Sequence, residues 1–137
     1  MASPSGGVTL GGEGASFLAP RSLYIHVPIC ASKCAYCDFF SLPSASWSEA
    51  AMASLVDATL ARAAVLAERF GASGFDTVYV GGGTPTALPP VLLDRLLAGI
   101  GSLAGRPGEW TVEANPESLD ARALETMRAR GVSRISL

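Results

Sequence analysis

The sequence has 137 residues, of which 49% are hydrophobic and 16% are charged, and its formal net charge is -2. This length suffices for one domain with a sizeable core, and the composition excludes an intrinsically disordered chain. The lysines and arginines are spread along the chain rather than clustered, so we expect no nucleic-acid partner.

The first 21 residues are rich in Gly, Ser, Ala and Pro and show no hydrophobic period. We therefore predict a flexible leader over residues 1–21 and a folded domain over residues 22–137. The leader has neither the cationic start nor the apolar centre of a secretory signal. No apolar run approaches the length that a bilayer demands, so we expect no membrane span and a cytoplasmic location.

Four apolar, β-prone runs predict strands, and three segments between them have helical periodicity. The predicted strands are residues 23–27, 75–80, 110–114 and 132–137. The first helix is expected to begin at a capping box of Ser46 and Glu49 and to end near Gly71. Its apolar positions are Met52, Leu55, Val56, Ala63, Leu66 and Phe70.

The second helix is expected to open at Pro89 and Pro90, because proline suits a first helical turn. The third is expected to begin near Ser118 or Asp120, to carry Leu124 and Met127, and to end at Gly131.

The resulting βαβαβαβ order predicts an α/β fold with a parallel sheet and right-handed crossovers. The last strand ends with the sequence and has no covering helix, so we expect a truncated piece of a larger barrel. The loops after the first three strands share the C-terminal edge of the sheet. Active sites of α/β proteins lie at this edge.

Three cysteines within eight residues, Cys30-x3-Cys34-x2-Cys37, follow the first strand. In a cytosolic protein such close spacing favours metal binding over disulfides. Three thiolates on a four-iron cluster leave one iron open for a small molecule. The alternative is a structural zinc site formed by the cysteines and His26.

Other residues at the same sheet edge have two interpretations each. The run Gly81-Gly82-Gly83-Thr84-Pro85-Thr86 is either a tight turn or a close backbone approach to a ligand. Glu113 is either an exposed strand-end acid or a buried carboxylate that needs partners. Tyr24 is either a core aromatic or a site residue, while Lys33 and Asp38 are expected to be solvated.

The string Tyr24-Ile25-His26-Val27-Pro28-Ile29-Cys30, followed by Lys33-Cys34-Ala35-Tyr36-Cys37-Asp38-Phe39, resembles the signature of radical S-adenosylmethionine (SAM) enzymes. More specifically, it resembles the oxygen-independent coproporphyrinogen III oxidase-like family and its heme chaperone branch. The resemblance continues through the glycine run, Glu113-x-Asn115-Pro116 and Arg134-Ile135-Ser136-Leu137. It therefore covers essentially residues 22–137 and implies the N-terminal part of a partial TIM barrel.

The resemblance implies that Cys30, Cys34 and Cys37 hold a [4Fe–4S] cluster, which binds SAM and cleaves it reductively. It implies further SAM contacts, with no catalytic residue assigned beyond the cluster. Gly82, Gly83 and Thr84 would surround the methionine group, Glu113 would accept from the ribose hydroxyls, and Tyr24 and Tyr36 would complete the site.

The oxidase branch carries a further cysteine two residues after the third ligand, where this chain has Phe39. This departure favours the heme chaperone branch, which transfers heme to target proteins. The alternatives are an oxidase that decarboxylates coproporphyrinogen III to protoporphyrinogen IX, and a non-catalytic zinc module. Enzymatic turnover therefore stays open. The implied partners are heme or a porphyrin, an electron donor and heme-recipient proteins, with heme as a further bound cofactor.

Overall fold

A computed structural model of the chain describes residues 18–137, so residues 1–17 of the predicted leader lie outside the described part. The described elements, in chain order, are β1 (Ser22–Val27), β2 (Ile29–Cys30), β3 (Leu42–Pro43), α1 (Glu49–Arg69), β4 (Thr77–Gly82), α2 (Pro90–Ala104), β5 (Glu109–Glu113), α3 (Ala121–Arg130) and β6 (Arg134–Ser136). Short 3-10 turns at Ser44–Ser46 and Pro85–Ala87 precede α1 and α2.

The main sheet has four strands in the order β1-β4-β5-β6, and every neighbouring pair is parallel. This arrangement confirms the predicted α/β class, because each long crossover carries a helix. A second, two-stranded parallel sheet pairs β2 with β3. It encloses the cysteine loop, and the sequence analysis did not predict it.

Alternation along the strands separates an apolar face from a polar face. The apolar face packs under the helices and includes Ile25, Val27, Val78, Val80, Trp110 and Val112. The polar face includes Tyr24, His26, Tyr79, Gly81, Thr111, Glu113, Arg134 and Ser136. Because the strands are parallel and in register, these polar side chains form adjacent rows that cross the sheet.

Side-chain caps define where α1 and α3 begin, and one of them differs from the prediction. Ser48 is the N-cap of α1, since its Oγ accepts from the amide of Ala51 at 3.1 Å. The capping box predicted for Ser46 and Glu49 is wrong, because Ser46 belongs to the preceding 3-10 turn and Glu49 is the first helical residue. Asp120 caps α3 as expected, and that helix ends at Gly131 with a φ of 93°.

The helices pack closely on one another as well as on the sheet. A Cβ added at Gly99 of α2 would lie 2.6 Å from Leu60 of α1, so glycine allows the two helices to approach. Leu124, one of the two apolar residues that the third helix was expected to carry, is 42% exposed. Ala123 and Met127 face the core instead, because residues four apart lie on one side of a helix.

By length and composition alone α1 could cross a membrane, with a mean hydropathy of 1.5 over an 18-residue window, 22% of which is buried. The expectation that no apolar run reaches this length is therefore wrong, because the alanines of α1 raise its mean hydropathy. One such helix is weak evidence for a span, since core helices of globular proteins also meet this criterion.

A salt bridge also joins the first two helices, since Asp57 of α1 pairs with Arg95 of α2 at 2.5 Å.

Candidate functional site

The cysteine loop connects β2 to β3 at the C-terminal edge of the main sheet. Cys30 is the last residue of β2, and the amide of Cys37 donates to the carbonyl of Cys34 at 3.1 Å, which closes a turn between them. Cys34 is exposed, whereas Cys30 and Cys37 are half-buried. All three are free thiols and are therefore available as ligands.

Hydrogen bonds from both ends hold the cysteine loop to the sheet. The amide of Leu42 donates to the carbonyl of Pro28 at 3.0 Å, and His26 Nε2 bonds the carbonyl of Phe40 at 2.8 Å. Lys33 Nζ donates to the carbonyl of Phe39 and, at 3.3 Å, to Ser41 Oγ. Lys33 is exposed as expected, yet its ammonium group also fixes the loop, a role that the sequence analysis missed.

The zinc alternative requires His26 to join the three cysteines on one ion. Both ring nitrogens of His26 have other partners, since Nδ1 lies 3.1 Å from the Tyr24 hydroxyl and Nε2 bonds Phe40. Within residues 18–137, no group of three or more His, Cys, Asp or Glu side chains converges on a single ion position. With His26 engaged elsewhere, the three thiolates remain as the donor set, and this number matches an iron–sulfur cluster that keeps one iron without a protein ligand.

At three positions of the glycine run, neighbouring atoms lie so close to the backbone that they leave no room for a side chain. A Cβ at Gly81 would lie 2.5 Å from Glu113 Oε2, and a Cβ at Gly83 would lie 2.5 Å from the Ile29 carbonyl oxygen. Gly82 has a φ of 101°, and a Cβ there would lie 2.2 Å from His26 Nδ1. The interpretation of this run as a tight turn is thus incomplete, because the glycines also allow its backbone to pack directly on β1, β2 and Glu113.

Hydrogen bonds join the glycine run to the strand that leads into the cysteines. The amide of Gly83 donates to the Val27 carbonyl at 2.8 Å, and the amide of Thr84 donates to the Ile29 carbonyl at 2.7 Å. The Thr84 hydroxyl lies 3.8 Å from Cys30 Sγ. The structure therefore brings two of the predicted site motifs into direct contact.

Glu113 is a partnered carboxylate rather than a free strand-end acid. Its Oε1 accepts from the Tyr79 hydroxyl at 2.6 Å, and its Oε2 accepts from the amide of Gly82 at 2.9 Å. A carboxylate offers about four acceptor positions, so both oxygens keep capacity for a further donor.

Tyr24 lies on the polar face rather than in the core, since 54% of it is exposed. Its ring stacks on Tyr79, with centroids 6.1 Å apart and an interplanar angle of 28°. Burial and the negative charge of Glu113 raise the pKa of Tyr24. The hydrogen bond to Glu113, with burial, raises the pKa of Tyr79.

The sequence analysis missed Tyr79 as a site residue. The available signal was strand alternation, which places Tyr79 on the face opposite Val78 and Val80 and on the same face as Gly81 and Glu113.

Tyr36 lies in the cysteine loop and is 89% exposed. A hydrogen bond with the side chain of Cys34 raises the pKa of Tyr36. The predicted residues thus form two groups. The first group is joined by side-chain and backbone contacts on the main sheet and at its C-terminal edge, and it comprises Tyr24, Cys30, Gly82, Gly83, Thr84 and Glu113. The second group lies on the projecting loop and comprises Cys34, Tyr36 and Cys37.

A family model described as "Radical SAM superfamily" matches residues 24–137. Among curated proteins, the chain is similar to heme chaperone HemW from Mycobacterium tuberculosis, with 36% identity over 120 residues. That match covers 86% of this chain and 31% of the relative. The Bacillus subtilis heme chaperone HemW is 33% identical over 124 residues, covering 85% of this chain and 31% of that protein.

The chain is also 32% identical over 118 residues to bovine "Radical S-adenosyl methionine domain-containing protein 1, mitochondrial", covering 85% of this chain and 26% of that relative. The chain spans about a third of the length of the curated relatives that it matches.

Among solved structures, the coproporphyrinogen III oxidase HemN from Escherichia coli, described as a radical SAM enzyme, aligns with a TM-score of 0.73. Its sequence identity to this chain is 25%, and the alignment covers 85% of this chain and 27% of that one.

Proposed function

This chain belongs to the radical SAM superfamily, and we propose that Cys30, Cys34 and Cys37 hold a [4Fe–4S] cluster with one iron open to SAM. The observation that carries the proposal is the contact between the two motifs, in which Thr84 of the glycine run lies 3.8 Å from Cys30 Sγ. When bound, the cluster supplies the electron that cleaves SAM reductively. The chain's own residues bind and orient the cofactor.

The SAM contacts are part of the same proposal. Gly82, Gly83 and Thr84 surround the methionine group, a proposal supported by the backbone bonds that hold Gly83 and Thr84 beside the strand leading to Cys30. Glu113 accepts hydrogen bonds from the ribose hydroxyls, supported by the acceptor capacity that its two existing partners leave. Tyr24 contributes its exposed ring beside Glu113, and Tyr36 contacts the adenine from the cysteine loop.

For the whole protein we propose a heme chaperone that acts in the cytoplasm. Its partners are heme or a porphyrin, an electron donor, and the proteins that receive heme. The proposal is supported by the similarity to proteins named heme chaperones and by Phe39, which stands where the oxidase pattern has a further cysteine. The second candidate is a coproporphyrinogen III oxidase, which the likeness to the Escherichia coli structure favours.

Anaerobic reconstitution of the chain with iron and sulfide tests the cluster. We expect about four irons and four sulfides per wild-type chain, and a spectrum that SAM perturbs. Cys34→Ala should lose the cluster, whereas Ser32→Ala, a matched change in the same exposed loop, should keep it. Bound zinc without iron in the wild-type chain would reject the proposal in favour of the zinc module.

The full-length protein separates the two cellular functions. A heme chaperone should bind heme stoichiometrically and should not decarboxylate coproporphyrinogen III under reducing conditions with SAM. Formation of protoporphyrinogen IX would instead establish the oxidase.

A further inference from the structure

Tyr79 occupies the centre of the polar face, on the strand that lies between β1 and β5. Its ring stacks on Tyr24 of β1, and its hydroxyl donates to Glu113 of β5 at 2.6 Å. One side chain of β4 therefore links both neighbouring strands, β1 and β5.

Two donors of β4 hold the Glu113 carboxylate in one orientation. The Tyr79 hydroxyl binds Oε1, and the Gly82 amide binds Oε2 at 2.9 Å. The missing Cβ of Gly81 makes room for Oε2. A glutamate side chain has several rotatable bonds, and each donor removes part of that freedom before a ligand arrives.

We propose that Tyr79 is a positioning residue of the cofactor site, which fixes Glu113 through its hydroxyl and supports Tyr24 through its ring. This inference rests on the proposed function, in which Glu113 and Tyr24 contact SAM. Tyr79 itself acts through these two residues and needs no contact with the cofactor. Its hydroxyl keeps the remaining acceptor positions of Glu113 oriented toward the ribose.

The test is the dissociation constant of SAM for the reconstituted chain, measured by equilibrium dialysis, with iron content determined for each sample. Tyr79→Phe keeps the stacked ring and removes the hydroxyl, so we expect SAM to bind about tenfold more weakly. Thr77→Val is the matched control. It removes a hydroxyl from the same strand and face, where Thr77 bonds Ser22 at 2.8 Å far from Glu113, and it should leave SAM affinity unchanged.

A double-mutant cycle distinguishes positioning from a general structural role. In a Glu113→Ala background, Tyr79→Phe should change SAM affinity by less than about twofold, because the acceptor that it orients is gone. A full tenfold effect in that background would show that Tyr79 does not act through Glu113, and would overturn the inference.

A spectroscopic readout needs neither cluster nor SAM. In an alkaline titration followed by tyrosinate absorbance, the step that is missing in Tyr79→Phe belongs to Tyr79. In the Glu113→Gln variant, the pKa of this step should be lower than in the wild-type chain. An unchanged titration would overturn the inference even if Tyr79→Phe failed to fold.

The outcomes separate this inference from the proposed function. Equal SAM affinity in wild-type and Tyr79→Phe chains would overturn the inference alone. A wild-type chain that carries four irons and does not bind SAM would overturn the SAM site of the proposed function, and the inference with it.

Discussion

The Tyr79–Glu113 hydrogen bond is the shortest link between the two central strands on the polar face, at 2.6 Å. A phenol that donates to a carboxylate releases its own proton less readily, because the resulting phenolate would face a negative charge. The pKa of Tyr79 is accordingly raised above its ordinary value of 10.0. The bond thus links the stability of the fold to pH.

The raised pKa of Tyr79 determines whether the free energy of unfolding rises or falls with pH. A group with a pKa raised by folding stabilises the native state fully below its unfolded pKa, and this contribution is lost as the pH rises through the folded pKa. We expect the free energy of unfolding of the wild-type chain to fall between about pH 8 and about pH 11 more than that of Tyr79→Phe. Urea unfolding at the two pH values measures this difference. Equal losses in both chains would contradict the expectation.

Among the glycines within residues 18–137, Gly82 has the least tolerance for a side chain. Gly82→Ala combines a positive φ with a contact to His26 Nδ1 at 2.2 Å, so we expect it to cost about 3 kcal/mol or more. Gly105→Ala is the control, because Gly105 also has a positive φ but no atom within 4 Å. It should cost only about 1–2 kcal/mol. Similar losses in urea unfolding would show that His26 moves aside freely.

At the scale of elements, the start of α1 depends on a single side chain. Ser48→Ala removes the acceptor for the amide of Ala51, and we expect it to lower the free energy of unfolding by about 1 kcal/mol. Ser46→Ala, an equally small change two residues earlier, should have an effect near zero because Ser46 is not the N-cap. Chemical denaturation of both variants measures this, and the reverse order would restore the predicted capping box.

The cysteine loop is an element of a different kind, since polar contacts rather than apolar packing hold it. The pair β2 and β3 closes its base, and His26 and Lys33 bond the carbonyls of Phe40 and Phe39. The loop therefore exposes aromatic and thiol groups that a buried segment would conceal. This exposure suits the proposed cluster site, which would have to receive iron, sulfide and SAM.

At the scale of the whole molecule, the core and the candidate site are separate. None of the buried apolar residues of the described chain lies between Ala31 and Leu42, so the core forms without the cysteine side chains of that loop. We expect Cys34→Ala, in the absence of iron, to unfold at the same denaturant concentration and with the same cooperativity as the wild-type chain. A large loss of stability would instead indicate a metal-dependent fold of the zinc-finger type.

Much of the architecture follows from local signals in the sequence. The order of the three helices and of the four strands of the main sheet, the ends of the helices at Gly71 and Gly131, and the shared sheet edge of the cysteine and glycine motifs were predicted correctly. These features depend on hydrophobic period, capping and the parallel crossover rule, each of which acts over short stretches of chain. The residues that bind the cluster and SAM remain predictions from family resemblance.

The contacts that define the geometry of the site were decided only in three dimensions. Tyr79 and Glu113 are 34 residues apart in the chain and meet because β4 and β5 are neighbours in a particular register. His26 meets Phe40, and Lys33 meets Ser41, because an unpredicted pair of two-residue strands closes the cysteine loop. Periodicity identifies the face on which a side chain lies. The partner of that side chain depends on strand register and loop closure, which local sequence patterns do not encode.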